Sequence, residues 1–127
     1  MKGVHIKKIQ VVSEDERRSI FEIMNGELSV RNMKILIVKK GEQLLGNHWH
    51  PESCEVMYMM KGAAKYKMKN IDTGEEEDYN LVEGDVVFRT SRIVHGGWFT
   101  EDSIVIDGAT EPYISQDFND VYEKIIE

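Results

Sequence analysis

The chain has one cysteine, Cys54, in 127 residues, so no disulfide can form within it. That usage fits a reducing compartment. No apolar run approaches the ~20 residues that a membrane-spanning helix needs. The first residues, Met1-Lys-Gly-Val-His-Ile-Lys-Lys, lack the apolar centre of a signal peptide. A cytoplasmic protein with no membrane partner is therefore expected. Basic charge is scarce as well: 16 Lys and Arg stand against 23 Asp and Glu, for a net charge of -7. A nucleic-acid partner wants a basic stripe, and this balance argues against one. The acidic run Glu75-Glu-Glu-Asp78 reads as the solvated flank of a hairpin. Low-complexity segments, internal repeats and linkers are also missing. One domain over residues 1–127 is expected, long enough to bury a core without disulfides.

What is present is a succession of short apolar stretches between turn signals. Residues 4–12, 18–24, 28–39, 44–50, 55–60, 63–70, 76–81, 85–89, 93–99 and 103–107 read as strands. Residues 63–70 show the half-buried pattern, with Ala64, Tyr66 and Met68 alternating against Lys65, Lys67 and Lys69. Asn25-Gly26, Lys40-Gly41, Asp72-Thr-Gly74 and Val82-Glu-Gly84 supply the turns. Residues 28–39 could be helical on composition, but Ile and Val dominate and favour a strand. One short helix is expected at 117–126, where Phe118, Val121, Tyr122 and Ile125 share a helical face. Many short strands and almost no helix predict an all-β sandwich or barrel.

The densest chemistry lies in residues 46–62. His48 and His50 stand one residue apart, so on a strand both point to one face. Pro51 breaks that strand, and Glu55 opens the next, expected to be its hairpin partner. His95 follows far downstream. Three imidazoles and a carboxylate suit a divalent ion, and softness does not choose among Zn, Fe, Mn, Ni and Co. So many buried polar groups would be costly without a ligand to pair them. If Glu55 points inward, so do Met57 and Met59, while Cys54, Val56 and Tyr58 point away. Trp49 faces opposite its flanking histidines. Gly96-Gly97 either leaves room beside a metal or permits a bend.

These spacings resemble the cupin superfamily. Its first motif matches His48-x-His50, four residues, Glu55, six residues, Gly62. Its second matches Gly84, five residues, Thr90-Ser-Arg92, two residues, His95, with Thr90 and Arg92 where the motif has Pro and Gly. The resemblance implies a small jelly-roll barrel in which His48, His50, Glu55 and His95 converge as metal ligands. Gly46-Asn-His-Trp-His50 and Gly108-Ala-Thr-Glu-Pro-Tyr113 are similar to the cupin domain of capsular-polysaccharide enzymes. Glu16-Arg-Arg-Ser-Ile-Phe-Glu22 resembles an early strand of the RmlC-like sugar-nucleotide epimerases and ketoisomerases. That likeness implies a histidine base, His48 or His50, that removes a proton beside a carbonyl, and a tyrosine acid. Tyr58, Tyr66 and Tyr113 are the tyrosine candidates. Arg31, Arg89 or Arg92, or the metal, would stabilise the enolate. A histidine bound to metal cannot also be the free base.

The expected function is thus a metal-binding isomerase or epimerase of a carbohydrate-like or sugar-nucleotide small molecule. A metal-dependent oxygenase or lyase, and a non-enzymatic binding or sensing module, are the alternatives. The apolar run at 33–38 exceeds the needs of one small sandwich, which predicts a homodimer.

Overall fold

A computed structural model describes residues 1–112 and the backbone of Val121–Tyr122. All regular structure among the described residues is strand, and none of it is a helix long and apolar enough to cross a membrane. The strands are β1 (Val4–Lys8), β2 (Gln10–Asp15), β3 (Arg18–Glu22), β4 (Asn32–Val38), β5 (Leu45–Trp49) and β6 (Glu55–Lys61). They continue as β7 (Ala63–Asn70), β8 (Glu76–Val82), β9 (Asp85–Arg89), β10 (Ile93–Phe99), β11 (Ser103–Ala109) and β12 (Val121–Tyr122).

Ten of these strands form two antiparallel sheets, ordered β1-β9-β6-β11-β4 and β12-β5-β10-β7-β8. They face each other as a jelly roll. The hairpin β2–β3 stands apart from both. Alternation decides which side chains meet. Met57, Met59, Val87 and Val105 of the first sheet meet Ala64, Tyr66, Met68, Ile93 and Phe99 of the second. Met59, Met68, Val87 and Val105 are fully buried, and each such side chain contributes roughly 1.5–3 kcal/mol by leaving water. A second cluster covers the outer face of the first sheet. There Val56, Val86 and Phe88 pack with Ile9, Ile23, Met24, Leu28, Val30 and Tyr58. Strand β9 is consequently buried on both faces.

Three expectations change. Residues 4–12 split at Ile9, whose N–H donates to the Gly84 carbonyl at 2.7 Å, so β1 enters the first sheet and β2 leaves it. The stretch 28–39 becomes a strand only from Asn32, because Leu28 and Val30 turn onto the second cluster. Strands β5 and β6 are not hairpin partners. β5 pairs with β10 and β12, whereas β6 pairs with β9 and β11, so the chain crosses between sheets at residues 50–54. The helix expected at 117–126 lies outside the described residues except for Val121–Tyr122. Those two residues are a strand, paired with Trp49 and His48.

Candidate functional site

The crossover between sheets sets the site. Strand β5 carries a bulge in which Gly46 (φ 86°) and Asn47 (φ 64°) are both left-handed. The pairing of β10 with β5 shifts register there, between His95 and Gly96. A side chain on Gly46 would meet the His95 carbonyl at 2.7 Å, and one on Gly96 would meet Asn47 at 2.9 Å. Gly96 thus admits the bulge, and beyond it His48 comes directly opposite His95. Gly97 has a separate use: a Cβ there would collide with the Lys65 carbonyl and the Tyr66 ring. The Gly96-Gly97 pair therefore serves backbone approach and the seating of Tyr66.

His50 follows β5, and its carbonyl accepts the Arg92 N–H at 2.9 Å. Arg92 sits at φ 68°, where the cupin motif has a glycine, so this turn keeps the left-handed shape without one. The Arg92 guanidinium is turned outward. It pairs with Asp72 at 2.8 Å and lies 5.2 Å from the Trp49 ring. The ring centroids of His48, His50 and His95 lie 4.7–5.6 Å apart. One nitrogen from each ring falls within 4.8 Å of the others.

Glu55 comes from the opposite sheet. Its Oε1 lies 2.7 Å from His50 Nε2, and its Oε2 accepts from Arg89 Nη2 at 3.1 Å. Arg89 is Glu55's direct neighbour in the ladder of β6 and β9. The turn before Glu55 is pinned by reciprocal bonds between Cys54 and Thr110, at 3.0 and 2.9 Å. Burial alone would raise the Glu55 pKa. The Arg89 charge, with the His50 hydrogen bond and the nearby imidazoles, outweighs it and holds the carboxyl well below the carboxylate range. His95 goes the other way, because burial and then the Arg89 charge lower its pKa and keep it neutral. In the tautomer that satisfies its 3.1 Å contact, His95 Nδ1–H donates to the Ile93 carbonyl and Nε2 keeps its lone pair.

Of the tyrosine candidates, Tyr66 faces this interior. Burial pushes its pKa up to about 12, so it is a protonated donor at neutral pH. Tyr58 sits on the other face of β6, in the outer cluster, and is not brought to the histidines. Tyr113 lies outside the described residues. Among the arginine candidates, Arg31 is exposed, Arg92 turns outward, and Arg89 is buried beside Glu55.

Sequence reasoning passed over Asp107 on β11. It is the ladder neighbour of Met57, one step from Glu55, and partly buried. Burial, reinforced by the Glu55 charge, pushes its pKa up to about 7 against the pull of Arg89 and Lys34. The signal for it was parity, since Ser103, Val105 and Asp107 share one face of their strand.

The three imidazoles fit a divalent ion by donor type and convergence. Glu55 stands outside that cluster, with its two oxygens engaged by His50 and Arg89.

Neither a family model nor any curated protein matches the sequence. Solved structures do match the fold. A TDP-quinovose 3,4-ketoisomerase from Campylobacter jejuni aligns at TM-score 0.81 over 97% of this chain and 95% of its own, with 13% identity. A sugar 3,4-ketoisomerase from Thermoanaerobacterium thermosaccharolyticum, in complex with TDP, aligns at 0.77 over 97% and 90%, with 16% identity. A dTDP-4-dehydrorhamnose 3,5-epimerase from Sulfolobus tokodaii aligns at 0.79 over 100% and 81%, with 19% identity. The fold is the RmlC-like cupin fold of these ketoisomerases and epimerases. At these identities the likeness concerns the fold.

Proposed function

We propose that this protein is an isomerase or epimerase that moves a proton on the carbon beside a ketone of a sugar nucleotide. The observation that carries the reading is the chain His50–Glu55–Arg89, with its links of 2.7 and 3.1 Å inside an RmlC-like barrel. In the tautomer with Nε2–H donating to Glu55, His50 keeps a lone pair on Nδ1. Glu55 holds the ring and stabilises the imidazolium that forms when Nδ1 takes the proton. Arg89 keeps Glu55 ionised for that task. A general base positioned in this way contributes roughly 10²–10⁴-fold. Tyr66, protonated at neutral pH, is the acid for the developing enolate in this reading. For isomerisation His50 returns the proton to the former carbonyl carbon. The Tyr66 phenolate, having protonated the enolate oxygen, takes the proton of the hydroxyl on the first carbon, which becomes the new ketone. For epimerisation a solvent proton reaches the other face of the first carbon, His50 releases its proton to solvent, and the oxygen returns its proton to Tyr66. The sugar-nucleotide substrate class is supported by the fold likeness to ketoisomerases and epimerases.

The test is product analysis with TDP-4-keto-6-deoxyglucose and related TDP-ketosugars. Conversion by the wild type, lost in His50→Asn, is expected. Equal conversion by the variant would remove His50 as the base.

A second reading rests on the three convergent imidazoles. His48, His50 and His95 would hold a divalent ion, which when bound supplies a Lewis acid for the carbonyl oxygen. The two readings compete at His50. Elemental analysis of wild type and a His48→Ala, His50→Ala double variant separates them. One metal per chain, lost in the variant, favours the metal; none after incubation with these ions favours the free base.

A homodimer belongs to the same proposal. Edge strand β4 exposes Met33, Ile35 and Ile37, the last 81% accessible. The hairpin β2–β3 exposes Val11, Val12, Ile20 and Phe21. A second copy would cover these surfaces. Sedimentation equilibrium at micromolar concentration is expected to give twice the chain mass, and a monomer would overturn the dimer.

A further inference from the structure

Among the described residues, two that are not glycine take a left-handed backbone, Asn47 (φ 64°) and Arg92 (φ 68°). Both adjoin the histidine strand. Asn tolerates that conformation through local hydrogen bonds of its short side chain, an aid that arginine lacks. Such strain persists only where the surroundings impose it, and it gathers at functional sites. Arg92 is held on several sides. Its N–H donates to the His50 carbonyl at 2.9 Å, and its own carbonyl accepts the Ile71 N–H at 3.2 Å. Its Nε and Nη2 make a forked pair with Asp72 at 2.8–3.0 Å, and the guanidinium lies over the Trp49 ring. Asp72 is itself fixed. Its N–H and that of Thr73 donate to Asn70 Oδ1 at 2.9 and 3.1 Å, and Asn70 is buried at the end of β7.

These contacts converge on His50. That residue stands one position beyond β5, outside its ladder, and Pro51 after it has no N–H to anchor the chain. Its ring is gripped from the first sheet by Glu55, and its carbonyl from the turn before β10 by Arg92.

We infer that Arg92 is a positioning residue for His50: its side chain, clamped between Asp72 and Trp49, locks the turn whose N–H fixes the His50 carbonyl, and so sets the direction of the His50 ring. This rests on the proposed role of His50 as the base. A glycine at position 92 would form the same turn without strain, but would leave it free to move. The arginine costs conformational energy and supplies a rigid turn. It acts through the backbone and not as a free cation for a ligand, because the fork of its guanidinium is filled by Asp72.

The test compares the wild type with Arg92→Gly, Arg92→Lys and Asp72→Ala. The readouts are thermal stability, kcat and KM with TDP-4-keto-6-deoxyglucose, and the nitrogen-15 ring signals of His50 in histidine-labelled protein. Arg92→Gly is expected to melt close to the wild type. Its kcat is expected to fall about tenfold while KM stays within about twofold, the split expected when a reacting group loses its direction. Arg92→Lys keeps the charge but not the fork, and is expected to lie between the two. Asp72→Ala is expected to give a smaller fall in the same direction. The His50 signals are expected to change from one tautomer in the wild type to a mixture in Arg92→Gly. If that variant does not fold, Arg92→Lys and Asp72→Ala carry the same comparison. Unchanged kcat with unchanged His50 signals overturns the inference. A raised KM at constant kcat also overturns it and makes Arg92 a substrate-binding residue. In a protein that converts no TDP-ketosugar the ring signals decide alone: a changed mixture upholds the positioning and removes the sugar-nucleotide reading instead, and no change overturns the positioning.

Discussion

The second sheet brings neutral imidazoles to the interior, and the first sheet brings charge. His48, His50 and His95 lie on or just beyond β5 and β10, and His95 is kept unprotonated by burial and by Arg89. Glu55, Arg89 and Asp107 lie on β6, β9 and β11, where two carboxylates in one small interior are driven apart in pKa. Glu55 takes the hydrogen bond from Arg89 and stays ionised. Asp107 is left with burial and a like charge, and its pKa rises. The contrast shows how one barrel can hold neutral imidazoles and an ionised carboxylate in the same interior. They are built on separate sheets and meet where His50 Nε2 lies beside Glu55.

The sharpest way to break this arrangement is to remove the arginine. Arg89→Ala leaves Glu55 buried without its partner, and a loss of about 3–5 kcal/mol in unfolding free energy is expected. Chemical denaturation measures it. A value near zero would mean that the two sheets do not depend on the pair. Next comes the apolar end of the same interior. Met59→Ala, at a fully buried position, is expected to cost about 2–5 kcal/mol with no specific change in the pH profile. That separates packing loss from charge loss.

A subtler effect distinguishes the two carboxylates. Asp107 has a folded pKa of about 7 against an ordinary value of 3.8. Between those values the folded state binds more protons than the unfolded state, so its contribution to stability falls as pH rises through that window. Asp107→Asn removes the penalty. The variant is expected to gain on the order of 2–3 kcal/mol relative to wild type on going from pH 5 to pH 8. Glu55 has the opposite sign: its pKa is depressed, so its contribution is present at neutral pH and lost in strong acid. Melting curves across pH for the two single variants should therefore slope in opposite directions. The smallest effect belongs outside the barrel. Arg92→Ala breaks an exposed pair with Asp72 and is expected to cost about 0–1 kcal/mol, decreasing with added salt.

The sequence made the local features legible and hid the long-range ones. Parity is local, so the shared face of His48 with His50, and of Glu55 with Met57 and Met59, could be read residue by residue. Strand pairing is not local. Glu55 looked like the hairpin partner of the histidines, yet the chain crosses to the other sheet between them. That crossing is what sets the carboxylate against the imidazoles from across the core. Arg89 was one of three equal arginines until β9 proved to be buried on both faces, because residues 23–30 cover its outer side. Asp107 carried no motif, and its inward direction mattered only once β11 was known to lie beside β6. Arg92 shows the reverse. It departs from the motif, but the backbone takes the left-handed turn regardless.

The central claim is that His50, held by Glu55, removes a proton beside a ketone. Its most direct test is deuterium exchange: wild type and Glu55→Gln are incubated with TDP-4-keto-6-deoxyglucose in D₂O, and the proton next to the ketone is followed by NMR. Rapid loss of that signal with the wild type, slowed on the order of 10²-fold or more in Glu55→Gln, is the predicted result. No exchange by the wild type at the carbon beside the ketone would contradict the account.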